Sequence, residues 1–322
     1  MEAKFSGHET FPLRYGWLYK SCNLLNKIGN YSSSNSAGVE SAVIELGVGK
    51  NMVSAMRYWS ESCGVISIKK GTSNQELTNL GKYLFISEDS LQANCEGKKS
   101  WSARDPFLEK KGTIWLIHFL LNFHESDLTS YRYFFNLASL QQFDKEKLVL
   151  DIESDVQHYC EKPVKLSSLK KDIDCFLHSY CTKKIAAAKS DRSVNEDHFS
   201  SPLSELKLIN ELGKHSYVAL LEERPDLPTE IFVYALHRFI TETKLAHSSS
   251  FDALLSDQNS PGKIFRLSER GLGIQIETAV SKFPNLLKLE DSQGLRQLKL
   301  VNTYPNEHNF FELLDIYYGE RT

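Results

Sequence analysis

The segment at residues 5–20, FSGHETFPLRYGWLYK, concentrates side chains that can do chemistry ahead of the first long helix that the sequence predicts. It places His8, Glu9 and Arg14 among aromatic residues. A histidine beside a carboxylate can transfer protons, and a guanidinium can bind a phosphate through two parallel hydrogen bonds. A second interpretation is structural: the aromatic rings dock the segment while His8 and Glu9 bond to backbone. We take His8, Glu9 and Arg14 as candidate catalytic residues.

Metal-dependent hydrolysis is a second chemistry that the carboxylates allow. A hydrolytic nickase commonly places two or more carboxylates around a divalent ion such as Mg²⁺ or Mn²⁺. A metal site of this kind needs Glu9, Asp105 and Glu109 to lie close together in the fold. Their spacing along the sequence does not require that arrangement. Asp105 also suits the ordinary role of a helix cap. The sequence therefore leaves the metal ligands unidentified.

Local signatures of the common enzyme classes are absent from the sequence. It has no GxxxxGK[ST] or GxGxxG phosphate loop, no HExxH or other zinc spacing, and no GxSxG nucleophile motif. The six cysteines are scattered without a CxxC pair, which indicates free thiols in a reducing compartment. The alternative is a metal or cluster site built from Cys160, Cys175 and Cys181.

The residues that follow the first segment predict the elements that would position it. They indicate a helix at 39–46, a tight turn at 47–49, a helix at 51–63, a strand at 65–68, a basic turn at 69–74 and a strand at 75–78. This is the order of a winged helix-turn-helix, in which a short turn containing glycine sets two helices nearly perpendicular. The second helix can then enter a DNA major groove. Winged folds also serve as protein–protein modules, so both roles stay open.

The basic side chains of this region define candidate DNA contacts. Lys50 and Arg57 lie between the apolar positions of the second helix, and Lys69 and Lys70 lie at the tip of the predicted hairpin. Residues 48–82 hold five cations and two acids, although the whole chain has a net charge of -3. A globally basic coat protein is therefore excluded, and any nucleic-acid surface must be a local patch.

A second basic block follows at residues 98–192. Apolar residues at helical spacing predict several helices there, among them one over 166–180. Residues 162–192 carry eight cations and three acids, and Lys170 and Lys171 lie near the start of the predicted helix. Such a density is typical of a solvated face, and it also suits a surface that tracks DNA phosphates and releases their counterions. Lys170 and Lys171 are therefore further candidate phosphate contacts.

Length and composition predict the domain organisation. A chain of 322 residues corresponds to two or three domains, and the polar stretch 189–198 suits a linker. We assign an N-terminal arm with a winged helix-turn-helix to 1–97, a basic helix-turn-helix-like domain to 98–192 and a C-terminal winged-helix-like domain to 193–322. The predicted fold class is mainly α with small β-wings, in two or three winged-helix-like units. No apolar stretch reaches the roughly 20 residues of a membrane span, and we expect a cytoplasmic protein.

Four stretches together resemble a bacterial protein family. They are the segment at 5–20, DPFLEKKGTIWLIHFLL at 105–121, FSSPLSELKLI at 199–209 and SPGKIFRLSE at 260–269. The family is encoded beside a cysteine desulfurase and an enzyme similar to phosphoadenosine-phosphosulfate reductase. It resembles the SspB family, the DNA-nicking components of single-strand DNA phosphorothioation systems. His8, Glu9 and Arg14 match its most recognisable motif, whereas Lys111-Gly112 stands where the family usually has Pro-Gly.

The resemblance implies a function in replacing a non-bridging phosphate oxygen of DNA with sulfur, in a modification system for phage defence. The chain would bind duplex DNA and open one strand as a nicking endonuclease, with Mg²⁺ or Mn²⁺ as the implied metal. Its implied partners are the cysteine desulfurase and the ATP-dependent sulfur-insertion subunit. The alternative is a non-catalytic DNA-binding adaptor or regulator that recruits those enzymes. A third hypothesis is a protein–protein scaffold that does not bind DNA.

Overall fold

The structure is a computed structural model, and it is mainly helical with small sheets, as the sequence predicts. It describes residues 2–86, 103–123, 127–160, 164–181, 201–213, 215–243, 247–292, 295–301 and 307–319. The α-helices are α1 (Trp17–Ile28), α2 (Ser36–Leu46), α3 (Lys50–Ser62), α4 (Asn79–Phe85), α5 (Lys111–Asn122), α6 (Ser130–Arg132), α7 (Lys145–Tyr159), α8 (Leu166–Tyr180), α9 (Thr229–Thr243), α10 (Phe251–Ser256), α11 (Pro261–Ile264), α12 (Glu269–Lys282) and α13 (Glu307–Tyr318).

The strands are short, and two irregular helical turns complete the described elements. The strands are β1 (Glu2–Ala3), β2 (Ile66–Ile68), β3 (Gln75–Leu77), β4 (Asp127–Leu128), β5 (Gln142–Asp144), β6 (Asn210–Gly213), β7 (Ser216–Val218), β8 (Ser248–Ser250), β9 (Leu287–Ser292) and β10 (Leu295–Leu300). Tyr133–Leu137 forms a π-helical turn after α6, and Pro202–Leu206 forms a 3-10 turn.

The chain divides into two compact units. The first contains residues 1–121, 125–130 and 142–218, and the second contains 122–124, 131–141 and 219–322. The division into domains at 1–97, 98–192 and 193–322 stays a prediction. The proposed linker at 189–198 lies outside the described residues.

In the first unit, the helix, turn, helix and hairpin predicted from residue 39 onward are confirmed to within a few residues. Asn35 caps α2 by accepting a hydrogen bond from the Gly38 N–H at 3.1 Å. Gly47 ends α2 in the left-handed conformation, with φ 63°, which glycine adopts without steric cost. After α3, strands β2 and β3 pair antiparallel with Ile66 opposite Leu77. Helix α1 packs against α2, α3 and α4, so the hairpin and all four helices surround one core.

The rest of the first unit carries the second basic helix. Helix α8 packs against α7 and against the 3-10 turn Pro202–Leu206. Its inner face is apolar, and Ile173 and Phe176 are fully buried there. Strands β5, β7 and β6 form an antiparallel sheet in that order. On the same helix Lys170 and Lys171 are exposed, whereas Asp172 is buried.

The second unit has the order helix, strand, helix and hairpin. Helix α9 is followed by β8, by the short helices α10 and α11, by α12 and by the hairpin β9–β10. The three strands form one sheet in the order β8, β10, β9. Helix α9 packs against α11, α12 and α13, and its residues 230–237 are all buried. No helix in the described part of the chain is long and apolar enough to cross a membrane.

Gly81 tests the close packing between α4 and the end of α3. Thr78 caps α4 by accepting from the Gly81 N–H at 3.0 Å, and its hydroxyl donates to the Gly64 carbonyl at 2.8 Å. A β-carbon at Gly81 would lie 2.0 Å from the Val65 carbonyl oxygen. We expect Gly81→Ala to lower the free energy of unfolding by about 1–3 kcal/mol, because backbone must move to admit the methyl group.

Gly273 provides the matched control for this substitution. It lies within α12, and a β-carbon there meets nothing within 4 Å. Gly273→Ala should therefore raise stability, by up to about 1 kcal/mol. Urea unfolding followed by tryptophan fluorescence measures both variants. Equal effects of the two substitutions would contradict the packing of α4 described above.

Candidate functional site

The first candidate catalytic residue, His8, lies in a buried hydrogen-bonded pair. Its Nε2 is 2.8 Å from Oδ1 of Asp172 on α8, and its Nδ1 accepts the Thr10 backbone N–H at 3.0 Å. Because a backbone N–H points at Nδ1, the ring proton lies on Nε2 and is donated to the carboxylate. The side chains of His8 and Asp172 are 1% and 0% exposed. Asp172 also accepts the Ser130 backbone N–H at 3.0 Å through its other oxygen.

The segment at 5–20 docks onto α3, as the structural interpretation of its aromatic residues anticipates. The His8 ring stacks on Trp59 with centroids 6.2 Å apart and meets the edge of Tyr58 at 5.5 Å. The Trp59 Nε1–H donates to the Phe11 carbonyl at 2.9 Å. A β-carbon at Gly7 would lie 2.2 Å from the Tyr58 ring, so only glycine allows this approach. Both ring nitrogens of His8 are thus engaged inside the protein.

Glu9 and Arg14 lie closer to solvent than His8. Glu9 is exposed in a left-handed turn, with φ 49° at Glu9 and 66° at Thr10. The Arg14 guanidinium lies 5.5 Å from the ring centre of Phe11 and 5.3 Å from that of Trp17. Such cation–π contacts attract a guanidinium to the ring faces, and no described residue accepts a hydrogen bond from Arg14. Arg14 therefore keeps N–H donors that a phosphate could use, and the catalytic roles of His8, Glu9 and Arg14 stay predictions.

Asp105, one of the three carboxylates considered as metal ligands, binds backbone N–H groups instead. Asp105 is 3% exposed and accepts the backbone N–H groups of Glu109 at 2.8 Å and Lys110 at 3.0 Å. Both of its oxygens thus cap the turn before α5, which is the ordinary role considered for it. No group of three or more His, Cys, Asp and Glu residues in the described ranges is arranged to hold a metal ion. The described residues therefore do not fit a protein-built metal site, and the cluster of Cys160, Cys175 and Cys181 is not formed.

The candidate DNA contacts near α3 lie on the surface. Lys50, Lys69 and Lys70 are exposed, and none of them has an ion-pair partner among the described residues. Arg57 is half-buried and donates to the Tyr31 carbonyl at 3.5 Å. Glu61, on the same outer face of α3, accepts from the Gln75 amide at 2.8 Å, and burial raises the pKa of its carboxyl group. The one acid of this helix face is therefore held by a neutral partner.

The candidate contacts on α8 flank the buried carboxylate. Lys170 and Lys171 are exposed, while Asp172 next to them points into the core. Asp174 pairs with Lys145 of α7 at 2.5 Å. Seven other cations of the second basic block lie outside the described residues: Lys98, Lys99, Lys162, Lys183, Lys184, Lys189 and Arg192.

Two contacts of this site were not predicted from the sequence. His8 and Asp172 are 164 positions apart, and no local spacing links them. The Tyr15 hydroxyl donates to the carboxylate of Glu205 in the 3-10 turn, 190 positions away. The sequence gives one signal of the first contact. Asp172 follows Lys170 and Lys171 but lies on the apolar stripe of an amphipathic helix, where a carboxylate needs a hydrogen-bond donor.

Comparison with known proteins places the whole chain in a family. A family model described as a protein of unknown function, DUF4007, matches residues 5–318. A crystal structure of SspB is 28% identical with a TM-score of 0.78, and a magnesium ion-bound SspB crystal structure is 26% identical with a TM-score of 0.77. Each likeness covers 98% of this chain and 89% of the other. No curated protein matches the chain. The resemblance to SspB expected from four sequence stretches is confirmed.

Asp172→Asn tests the buried pair. An asparagine amide can accept from Ser130 or from His8, but its NH₂ group must then face the other donor. We expect a loss of about 2–4 kcal/mol in the free energy of unfolding, because a buried polar group loses its partner.

Asp174→Asn on the same helix is the control. Its partner Lys145 is 2.5 Å away, but the Asp174 side chain is 48% exposed, so we expect a loss below about 1 kcal/mol. Urea unfolding of the two variants checks both values. A loss at Asp172 no larger than that at Asp174 would show that the His8–Asp172 contact does not hold the unit together.

Proposed function

This chain belongs to the family DUF4007, and we propose that it is the DNA-binding component of a DNA phosphorothioate modification system that nicks DNA for sulfur insertion. The likeness to SspB over 98% of the chain carries this proposal, because SspB is a component of such a system. The nick would free a strand whose phosphate can exchange a non-bridging oxygen for sulfur. A cysteine desulfurase would supply the sulfur, and an ATP-dependent subunit would insert it.

We propose that the elements from α2 to β3 act as a winged helix-turn-helix. Helix α3 would enter the major groove, and the β2–β3 hairpin would lie along the backbone. The order of helices and strands supports this function, and so does the exposure of Lys50 near the helix start and of Lys69 and Lys70 at the hairpin tip. The helix–strand–helix–hairpin order of the second unit supports a second winged-helix-like module.

The balance of paired and unpaired charge supports binding to a polyanion. Lys27 and Lys145 form ion pairs with Glu45 and Asp174 at 2.6 Å and 2.5 Å. Lys50, Lys69, Lys70, Lys170 and Lys171 form none among the described residues. Exposed lysines without a protein partner are available to displace the counterions of DNA, and this release drives binding at low salt.

The double variant Lys69→Ala/Lys70→Ala tests the hairpin contact. Each lost phosphate contact should flatten the dependence of log K on log salt by about one unit, so the slope should fall by about two. Fluorescence anisotropy with a labelled duplex at several salt concentrations measures the slope. The control is Lys27→Ala, since Lys27 is 65% exposed but paired with Glu45. An unchanged slope in the double variant would remove the hairpin from the DNA interface.

Nicking is tested with supercoiled plasmid in Mg²⁺ or Mn²⁺. We expect wild-type protein to produce nicked circles. Glu9→Ala should lower the rate about 100-fold or more if Glu9 acts in proton transfer. Glu9 is exposed, so its loss should leave the fold intact. The matched control is Glu40→Ala, which removes an exposed acid from α2. Equal nicking rates for Glu9→Ala and wild type would show that Glu9 has no catalytic role.

One observation favours the alternative of a non-catalytic adaptor that recruits the sulfur-transfer enzymes. His8 has both ring nitrogens engaged and is buried, so its position suits a role in holding the segment in place. The plasmid assay separates the two functions. Salt-dependent duplex binding without nicked circles in either metal would favour the adaptor, and absence of duplex binding at low salt would favour a protein scaffold.

A further inference from the structure

The described residues include two exposed aromatic side chains whose chain segments meet. Only Tyr15 and Phe107, which are 39% and 54% exposed, are aromatic among the exposed large hydrophobic side chains of those ranges. They lie in different parts of the sequence, yet a β-carbon on Gly16 would be 3.9 Å from Cδ1 of Phe107. The ring of Tyr19 lies 5.7 Å from that of Phe107 at an interplanar angle of 54°. The three rings of Tyr15, Tyr19 and Phe107 are named the aromatic platform below.

The loop that carries Phe107 is held in a conformation that turns this ring outward. Asp105 caps the turn through the N–H groups of Glu109 and Lys110. Leu108 has φ 57°, which is uncommon for a residue with a side chain, and it is buried. Strained backbone persists only where its surroundings fix it, and it often marks a functional loop. The cap and the buried leucine therefore fix Phe107 in an exposed position at a cost in backbone energy.

The other side of the platform is fixed by a hydrogen bond. The hydroxyl of Tyr15 donates to Glu205, and this bond together with burial raises the pKa of the phenol. Gly16 has φ 74°, a left-handed conformation that glycine tolerates and that starts α1. Gly16 is buried, and a β-carbon there would meet Cδ1 of Phe107 at 3.9 Å. Tyr15 and Phe107 are thus held through their own segments and remain 39% and 54% exposed.

Cations outnumber acids in the two chain segments that carry the platform, and the fold adds the carboxylate of Glu205 at the Tyr15 hydroxyl. Residues 14–20 and 104–111 contain five cations and two acids. One of the two acids, Asp105, is buried and bound to backbone N–H groups. Arg14 lies against Phe11 and Trp17, and no described residue accepts a hydrogen bond from its guanidinium. An aromatic surface beside a guanidinium with open donors suits a ligand that has both a flat ring and a phosphate.

We propose that the aromatic platform stacks an unpaired base of single-stranded DNA while Arg14 and Lys20 contact the adjacent phosphates. Aromatic side chains stack bases of any sequence because every base has a π-face, and flanking cations follow the backbone. Bases in a duplex are covered by their neighbours, so the platform selects an opened strand. This inference rests on the proposed function, in which DNA is the substrate, and it adds the form of DNA that the first unit binds.

Phe107→Ala tests the platform by fluorescence anisotropy with labelled oligothymidylate at one fixed salt concentration. Loss of one stacked base should weaken binding by about 5- to 150-fold. Phe107→Trp should keep the affinity, and its indole fluorescence should be quenched on binding. An abasic oligonucleotide of the same length should bind wild type and Phe107→Ala equally, because it offers phosphates without bases.

Leu150→Ala is the matched control, since Leu150 is 62% exposed on α7 of the same unit. It should bind oligothymidylate as wild type does.

The inference is overturned if Phe107→Ala binds oligothymidylate as tightly as wild type, or if it loses affinity equally for the abasic strand. If wild type binds a duplex with a steep salt dependence and Phe107→Ala shows no defect, only the platform fails. If wild type binds neither kind of DNA, the proposed function and the platform fail together.

Discussion

The buried contact between His8 and Asp172 is the constraint on which the first unit depends. A carboxylate removed from water is costly unless donors surround it, and Asp172 receives them from the His8 ring and the Ser130 backbone. The two donors and the carboxylate come from three separate parts of the sequence. The contact therefore holds the N-terminal segment, α8 and the turn before α6 in one arrangement. The His8 ring in turn stacks on Trp59 of α3, so the two basic helices share a partner.

The same contact explains how charged residues are distributed on α8. Asp172 lies on the inner face with its charge satisfied, and the neighbouring Lys170 and Lys171 remain exposed. An acid that would otherwise cancel one of these lysines on the surface is removed from solvent. Around α3, Glu61 is partly buried and accepts from Gln75, but it still interacts with the charge of Arg57. A chain with a net charge of -3 can thereby present local positive surface without an excess of cations.

Much of the fold could be predicted from local patterns, and less of the site. The helix at 166–180 follows directly from apolar spacing, and the structure has the same bounds. The π-helical turn at Tyr133–Leu137 does not follow from the sequence, since periodicity does not register one inserted residue. The role of His8 depends on a partner 164 positions away, which spacing along the chain does not reveal. Phe107 would be assigned to the core from its type, and only the backbone at Leu108 shows why it is exposed.

Under the proposed function, the two kinds of surface in the first unit would make two kinds of contact with DNA. Lysines on α3, the hairpin and α8 are flexible point charges that suit the regular phosphates of a duplex. The rings of the aromatic platform suit unstacked bases, and the Arg14 guanidinium beside Phe11 and Trp17 suits their phosphates. Opening a duplex costs a few kcal/mol per unstacked base, and stacking on protein rings repays part of that cost. A protein that prepares one strand for chemistry at its phosphates needs both contacts at once. The N-terminal segment links them, since His8 joins it to the basic helices while Arg14 and Tyr15 belong to the aromatic surface.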